Sequence, residues 1–459
     1  MLAVRISRVS SQTNRISALR RFWRIAVLGL TALAVVSPVS AIPGSWAADG
    51  TSSDLRWRSP IIRIAVSPSL LKDSPNIKHD SDVAGAIERS VESWMRVANV
   101  DLRQVVTDKL SVSPVGAAGD GVNLVTVAQT PENVLLFSKD PEGAAATTRV
   151  FYNRRGWITE ADIVLNPFQQ FSTDGTFGTY DLESTLTHEI GHLLGLSHSE
   201  ILGATMHANY GKNGVFGAQR LTSRTLSTAD IRAVRALYGP GSGDSECCGS
   251  IEGKLALPGK PNRSIEVWIE DSSGRVHGNV KVSQAGDFFF PGLTQGKYRL
   301  FAHEPGRSRN AISAQEIGTA GVWREGTASI TPKVSLGLPQ SDFGVEFIGA
   351  NAQLAEMAVS VVPGRTYTLY LGGRNLDPKD LSILFSSPNI TAVPGSVRSM
   401  DYGPELSVVM FQVRISRRAE VGEYSINVET KSGDRRALVG AISVDNSTFG
   451  TPAYLSFDD

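Results

Sequence analysis

The chain has 459 residues, with 45 Lys and Arg against 45 Asp and Glu. That length exceeds a single core, so about two to four domains are expected. The charge balance excludes a net field suited to nucleic acid or an anionic membrane surface, so partners must be recognised by local shape and chemistry.

The amino terminus reads as an export signal. Arg15, Arg20, Arg21 and Arg24 precede the apolar run 25–36, and small residues follow, with cleavage expected after Ala41 or Ala47. The run is too short for a spanning helix and no later stretch is apolar enough, so no transmembrane anchor is expected. Residues 1–47 are assigned to the signal peptide and a spacer. IIRIAV from Ile61 reads as a strand. Val83, Ile87, Val91, Trp94 and Val97 recur with a helical period behind Asp80, Ser81 and Asp82. The stretches 122–129, 147–153 and 161–166 are strand-like. A helix carrying His188 follows. A last helix starts at Ser227 with a capping-box-like STAD, shows Ile231, Val234 and Leu237 on one face and ends at Gly239-Pro240.

Strands mixed with three long helices predict an α+β domain over 55–240. The Gly- and Ser-rich stretch 241–250 reads as a linker. It holds the only two cysteines, Cys247 and Cys248. A bridge between neighbours is strained, so the pair reads as inert or intermolecular rather than as an internal disulfide. Beyond it, helical periodicity gives way to alternation broken at Gly, Pro and Asp-Ser-Ser-Gly turns, which predicts one β-sandwich over 251–346 and a second over 350–446. Phe288 to Phe290, Tyr298 and Phe301 alternate as strand core residues do. The fold class is therefore multidomain: an α+β domain followed by two all-β sandwich domains.

Three of the seven histidines stand in HEIGHLLGLSH, residues 188–198. His188 and His192 lie one turn apart on one helix face. His198 can join them only if the helix stops and the chain folds back, and Gly195 stands where that stop is needed. Three neutral imidazoles suit zinc and leave a fourth position for water. Such a metal lowers the pKa of water and polarises a carbonyl. Glu189, beside the ligands, is placed to take the proton of that water and pass it to a leaving amine. These are the parts that peptide-bond hydrolysis needs. His207 is read as a loop residue flanking the cleft, with a fourth ligand as the alternative. His79, His277 and His303 are read as ordinary.

HEIGHLLGLSH fits the H-E-x-x-H-x-x-G-x-x-H pattern and so resembles the metzincins; Met206 then fits their methionine turn. Ser199 and ATMHANY are more similar to the matrixin branch. YDLESTLTHE, LSTADIRAVRALYG and AIERSVESWMRVANVDL extend the resemblance over 55–240. It implies a metzincin-type catalytic domain in which His188, His192 and His198 bind one zinc ion and Glu189 is the base. Met206 would form the floor, and Tyr210 the wall of the pocket for the residue just after the scissile bond. The stretch 147–153, with Thr148 and Val150, would be the edge strand to which an extended peptide adds. Ala208 stands where matrixins commonly have proline. His79 is the only upstream histidine, so a second, structural zinc is not expected, and no cysteine precedes the domain to block the metal. Calcium is a candidate without derivable ligands, Asp162 and Asp174 being the acidic residues considered. The segment 251–346 is similar to carboxypeptidase-regulatory-like sandwiches and 350–446 resembles immunoglobulin-like domains. The expectation is a secreted or extracellular zinc endopeptidase acting on protein or peptide substrates, with β domains that bind a cell-surface or extracellular target. The alternative is a secreted or surface binding protein with a non-catalytic metal domain. A fragment ending near Pro240 is expected to fold and cleave short peptides alone, because nothing in the linker docks it.

Overall fold

The protein is described by a computed structural model over residues 55–71, 74–217, 222–242, 246–256, 264–305, 311–332 and 342–445. The export signal expected at 1–47 lies outside the described residues. Among the described residues no helix is long and apolar enough to cross a membrane.

The first unit runs β1 (Arg56–Trp57), β2 (Ile61–Val66), α1 (Pro68–Leu71), α2 (Val83–Val97), β3 (Asp101–Val106), β4 (Leu124–Thr126) and α3 (Pro131–Leu135). It continues through β5 (Ala146–Tyr152), β6 (Trp157–Leu165), β7 (Phe171–Ser172), β8 (Tyr180–Asp181), α4 (Leu182–Leu193) and α5 (Thr228–Tyr238). The main sheet is ordered β1-β6-β4-β2-β3, with β5 added on β6. Only β5 is antiparallel, in one register from Ala146↔Leu165 to Phe151↔Glu160 and shifted by a bulge before Tyr152↔Ile158. Among the described residues it has no second strand neighbour, so it is an edge.

Asp82 caps α2, accepting from Gly85 N at 3.0 Å, and the helix turns Ala86, Ile87, Val91 and Trp94 inward. They pack with Ile62, Ile64, Ile163, Leu186 and Ile190 into one core between sheet and helices. Every residue of α4 is buried, so its polar groups need internal partners. The Thr185 and Thr187 hydroxyls donate to carbonyls one turn back, at 2.8 Å each. Glu183 meets Arg89 at 2.8 Å and Arg224 at 3.5 Å. Asp181 caps the helix at Ser184 N and receives two bonds from Arg224, at 2.9 and 2.6 Å.

The second unit comprises β9 (Cys247–Lys254), β10 (Glu266–Glu270), β11 (Val276–Lys281), β12 (Asp287–Thr294), β13 (Gly296–His303), β14 (Gln315–Val322) and β15 (Thr327–Ile330). Its sheets are β11-β10-β13-β14 and β12-β9-β15. Phe288, Phe290, Tyr298 and Phe301 are buried while Phe289 is 51% exposed, so the alternating aromatics are core with one outward exception. The third unit comprises β16 (Gly344–Ala350), β17 (Val359–Val361), β18 (Thr366–Arg374), β19 (Leu381–Phe385), β20 (Ile390–Ala392), β21 (Arg398–Asp401), β22 (Ser407–Ile415), β23 (Gly422–Thr430) and β24 (Arg435–Val444). One sheet is β16-β18-β22-β20 with β21 on β22; the other is β17-β24-β23-β19. Leu369, Phe411, Ile426 and Ile442 fill the space between them.

Two features differ from the sequence reading. Cys247 and Cys248 are joined to each other as a disulfide. Cys247 is buried at the start of β9, where its neighbour's sulfur is the partner at hand. The three units are also docked rather than freely linked. Helix α5 lies on β11 and β12: Thr228 Oγ1 donates to Val276 O at 2.6 Å, and Arg232 donates to His277 O and Pro291 O, both at 3.0 Å. Gly292 has φ +76°, and a Cβ there would stand 2.4 Å from Arg232 O, so the close approach requires glycine. Ile201, Ala204 and Ala229 of the first unit join Trp268, Val276 and Phe301 of the second and Val439 of the third in one buried cluster. Leu202 N donates to Val439 O at 3.0 Å, and Ala358 N donates to Leu202 O at 3.2 Å. The docking surface is made of isolated apolar residues with no period of their own, which is why composition suggested a free linker.

Candidate metal centre

Helix α4 brings His188 and His192 to one face and ends at Leu193. Gly195 then takes φ +96°, Leu196 N returns to Gly191 O at 3.0 Å, and the reversed chain delivers His198. The ligand nitrogens of the three imidazoles lie within 4.8 Å of one another, and His192 Nε2 is 3.1 Å from His198 Nε2. His188 and His192 are buried, while His198 is exposed at the mouth. His188 Nδ1 donates to Thr205 O at 2.7 Å, and His192 Nδ1 donates to Leu196 O at 2.8 Å. Both rings are thereby fixed with Nε2 as a lone-pair donor facing the common point. Burial, with the neighbouring ring, holds His188 well below the usual imidazole range, and the same causes put His192 at about 4. Three imidazoles converging on one point suit a cation between them, and among the described residues this is the one close group of three potential ligands.

The carbonyl that orients His188 is itself held from behind. Asp230, in the first turn of α5, accepts from Thr205 N at 2.7 Å and Met206 N at 3.4 Å. Ser227, the helix cap, donates its hydroxyl to Asp230 at 2.6 Å and accepts from Asp230 N at 3.1 Å. Met206, 1% exposed, lies under α4, where a Cβ at Gly191 would come within 2.3 Å of its Sδ. The sequence marked Ser227 and Asp230 only as a helix start. Their second role as a brace behind the metal centre was beyond a local pattern, because the residues they brace are more than a dozen positions upstream.

Glu189 points into the same cleft. Its Oε2 accepts from Thr148 Oγ1 at 2.5 Å, and Thr148 also reaches Glu189 O at 3.2 Å. Burial pushes the carboxyl up to about 7, against the pull of the Thr148 hydrogen bond. The Tyr210 ring stands 5.1 Å from that of His188 and 6.1 Å from that of Tyr180. Burial first, then the Glu189 charge, raises its hydroxyl well above the ordinary range. The cleft encloses about 610 Å³ and is lined by the three histidines, Glu189, Thr148 and Tyr210, together with Met357 of the third unit. Met357 had no sequence signal.

Other residues considered from sequence do not join this group. Val150 is on β5, but its side chain is buried in the core, leaving only its backbone to the edge. Both ring nitrogens of His207 face carbonyls, Ser199 O and Glu356 O, at 3.0 Å each; it is a bridge between units rather than a fourth ligand. Asp162 accepts from Leu124 N at 3.1 Å, and burial raises it to about 7. Asp174 is paired with Lys78, whose hydrogen bond holds it far below the usual carboxylate range. Neither belongs to a close group of three ligands among the described residues.

Residues 63–239 match the matrixin family. An interstitial collagenase from Oryctolagus cuniculus is 27% identical over 169 residues, 37% of this chain and 31% of the relative. A metalloendoproteinase 1 from Glycine max is 26% identical over 166 residues, 36% of this chain and 48% of the relative. An interstitial collagenase from Bos taurus is 36% identical over 169 residues, 37% of this chain and 31% of the relative. The chain spans less than half the length of each of these relatives. The matched region contains the three histidines and Glu189, and the likeness supports a metalloendopeptidase.

Proposed function

We propose that the protein is an exported zinc-dependent endopeptidase that hydrolyses extended polypeptides. The observation that carries this reading is the joint placement of three convergent imidazoles and the Glu189 carboxylate in one cleft. His188, His192 and His198 would hold zinc; the ion supplies a Lewis acid that activates water and polarises the scissile carbonyl. Glu189 takes a proton from the attacking water and gives it to the leaving amine. A carboxyl group can do both halves of that task, and Thr148 keeps it turned to the cleft. An extended substrate adds to the free edge of β5 through backbone bonds at residues such as Thr148 and Val150. Tyr210 walls the pocket for the side chain after the cut bond, and Met206 supports the metal site from below. Secretion rests on the sequence of residues 1–47, and the carboxypeptidase-regulatory-like and immunoglobulin-like sandwiches would engage an extracellular target.

The test is Glu189→Ala against His192→Ala in the full chain. Glu189→Ala is expected to keep zinc and to lose about 10²–10⁴-fold or more in peptide turnover. His192→Ala is expected to lose the metal and some stability. Wild-type turnover by Glu189→Ala would remove the assigned base, and zinc-loaded wild type inert towards a mixed peptide library would favour a binding protein.

A further inference from the structure

We infer that the third unit completes the substrate cleft, and that Met357 is a specificity-determining residue on its leaving-group side. This rests on the peptidase reading above. The segment 351–358 connects β16 to β17 and reaches out of the third sandwich to the cleft. Its base is stapled by Ile348 and Ala355, which exchange backbone bonds at 3.1 and 2.9 Å. On either side of Met357 the backbone is fixed to the first unit. Glu356 O faces His207 Nε2 at 3.0 Å, and Ala358 N donates to Leu202 O at 3.2 Å. Met357 is therefore held against the loop that joins His198 to Met206, with its half-buried side chain left to line the cleft.

The position within the cleft follows from the residues beside it. A Cβ at Gly211 would come within 3.3 Å of Met357 Cε, so the methyl tip lies next to the residue following Tyr210. The same unit also grips the far side of that stretch. Asn351 Nδ2 donates to Phe216 O at 2.6 Å, and the buried Phe216 side chain packs into the core of the third unit. The third unit thus supplies one wall residue and anchors the loop 211–217 that borders the same wall. A thioether on an unbranched stem adapts to many apolar shapes and carries no charge to pair with a charged side chain. Substrates with apolar side chains after the scissile bond fit this wall.

The test measures kcat/KM of full-length wild type, Met357→Leu, Met357→Glu and Met357→Lys on peptides that differ only in the residues after the cut bond. Met357→Leu is expected to keep the wild-type preference. Met357→Glu is expected to shift the ratio of lysine to leucine peptides by about tenfold towards lysine, and Met357→Lys to shift the glutamate-to-leucine ratio similarly. Ratios within twofold of wild type for both charged variants would overturn the assignment, including where both lose overall rate equally. A wild type that cleaves no peptide sinks the peptidase reading and this inference with it, whereas active wild type with unmoved ratios sinks only the role of Met357.

Discussion

Replacing Gly191 by alanine adds a methyl group on the underside of α4, between the two buried metal-site histidines. That Cβ would stand 2.3 Å from Met206 Sδ, 2.9 Å from Trp94 Cζ2 and 3.1 Å from Met206 Cε. Ordinary contacts of this kind are about 3.5–4.0 Å, so the neighbours must retreat by roughly 1 Å. Neither can do so freely. Trp94 is fully buried and its Nε1 donates to Thr187 O at 2.9 Å, while Met206, 1% exposed, is packed into the same core with little room to retreat. The glycine-to-alanine change itself favours a helix by about 0.5–1 kcal/mol. Overpacking a tight core costs about 1–3 kcal/mol. The clash wins, and a net loss of about 1–2 kcal/mol is expected. Any backbone shift at Met206 is passed to the adjoining Thr205 O, which orients His188 at 2.7 Å, so zinc affinity is expected to fall by about tenfold. Urea unfolding of the metal-free chain and a chelator-competition titration read the two effects separately. A Gly191→Ala protein as stable as wild type, or more so, would refute the packing argument.

Glu423 lies at the junction of the units, and burial, with the nearby Asp230 charge, pushes it up to about 8. Because the folded value is raised, the stability it contributes is full below about pH 4.5 and is lost as pH rises through about 8. Glu423→Gln is therefore expected to lose less melting temperature than wild type between pH 5 and 9, by a few degrees; parallel curves would contradict this. The docked arrangement also reverses the expectation for a fragment ending at Pro240. Ile201 and Ala229 would lose their cover from Trp268, Val276, Phe301 and Val439, so the fragment is expected to melt well below the full chain and to bind a hydrophobic dye. A fragment as stable as the whole protein, with unaltered peptide preference, would show the contacts to be inconsequential.

What was legible in the sequence was local. The period of Val83, Ile87, Val91 and Trp94 follows from helix geometry, and the caps at Asp82 and Ser227 are side-chain-to-backbone bonds within one turn. The histidine spacing carried its own stop signal at Gly195. Strand β3 was missed because DLRQVV buries only Leu102 fully, leaving no alternation to read. Longer-range roles left no trace. Asp230 looks like a helix-start residue whether or not it braces Thr205. Met357 stands in a stretch, NAQLAEMA, that has neither a motif nor a period. Its role depends on a third sandwich folding back onto the first unit, which no window of neighbouring residues encodes.

The bond between His207 and Glu356 joins residues 149 positions apart, whereas the three candidate ligands stand within eleven consecutive residues. The two halves of the proposed cutting site therefore depend on contacts of very different reach. A chain in which the third sandwich is undocked is expected to keep its ligand set while lacking the wall that would align a substrate on it. Ligand spacing alone is thus no measure of whether a selective groove is present.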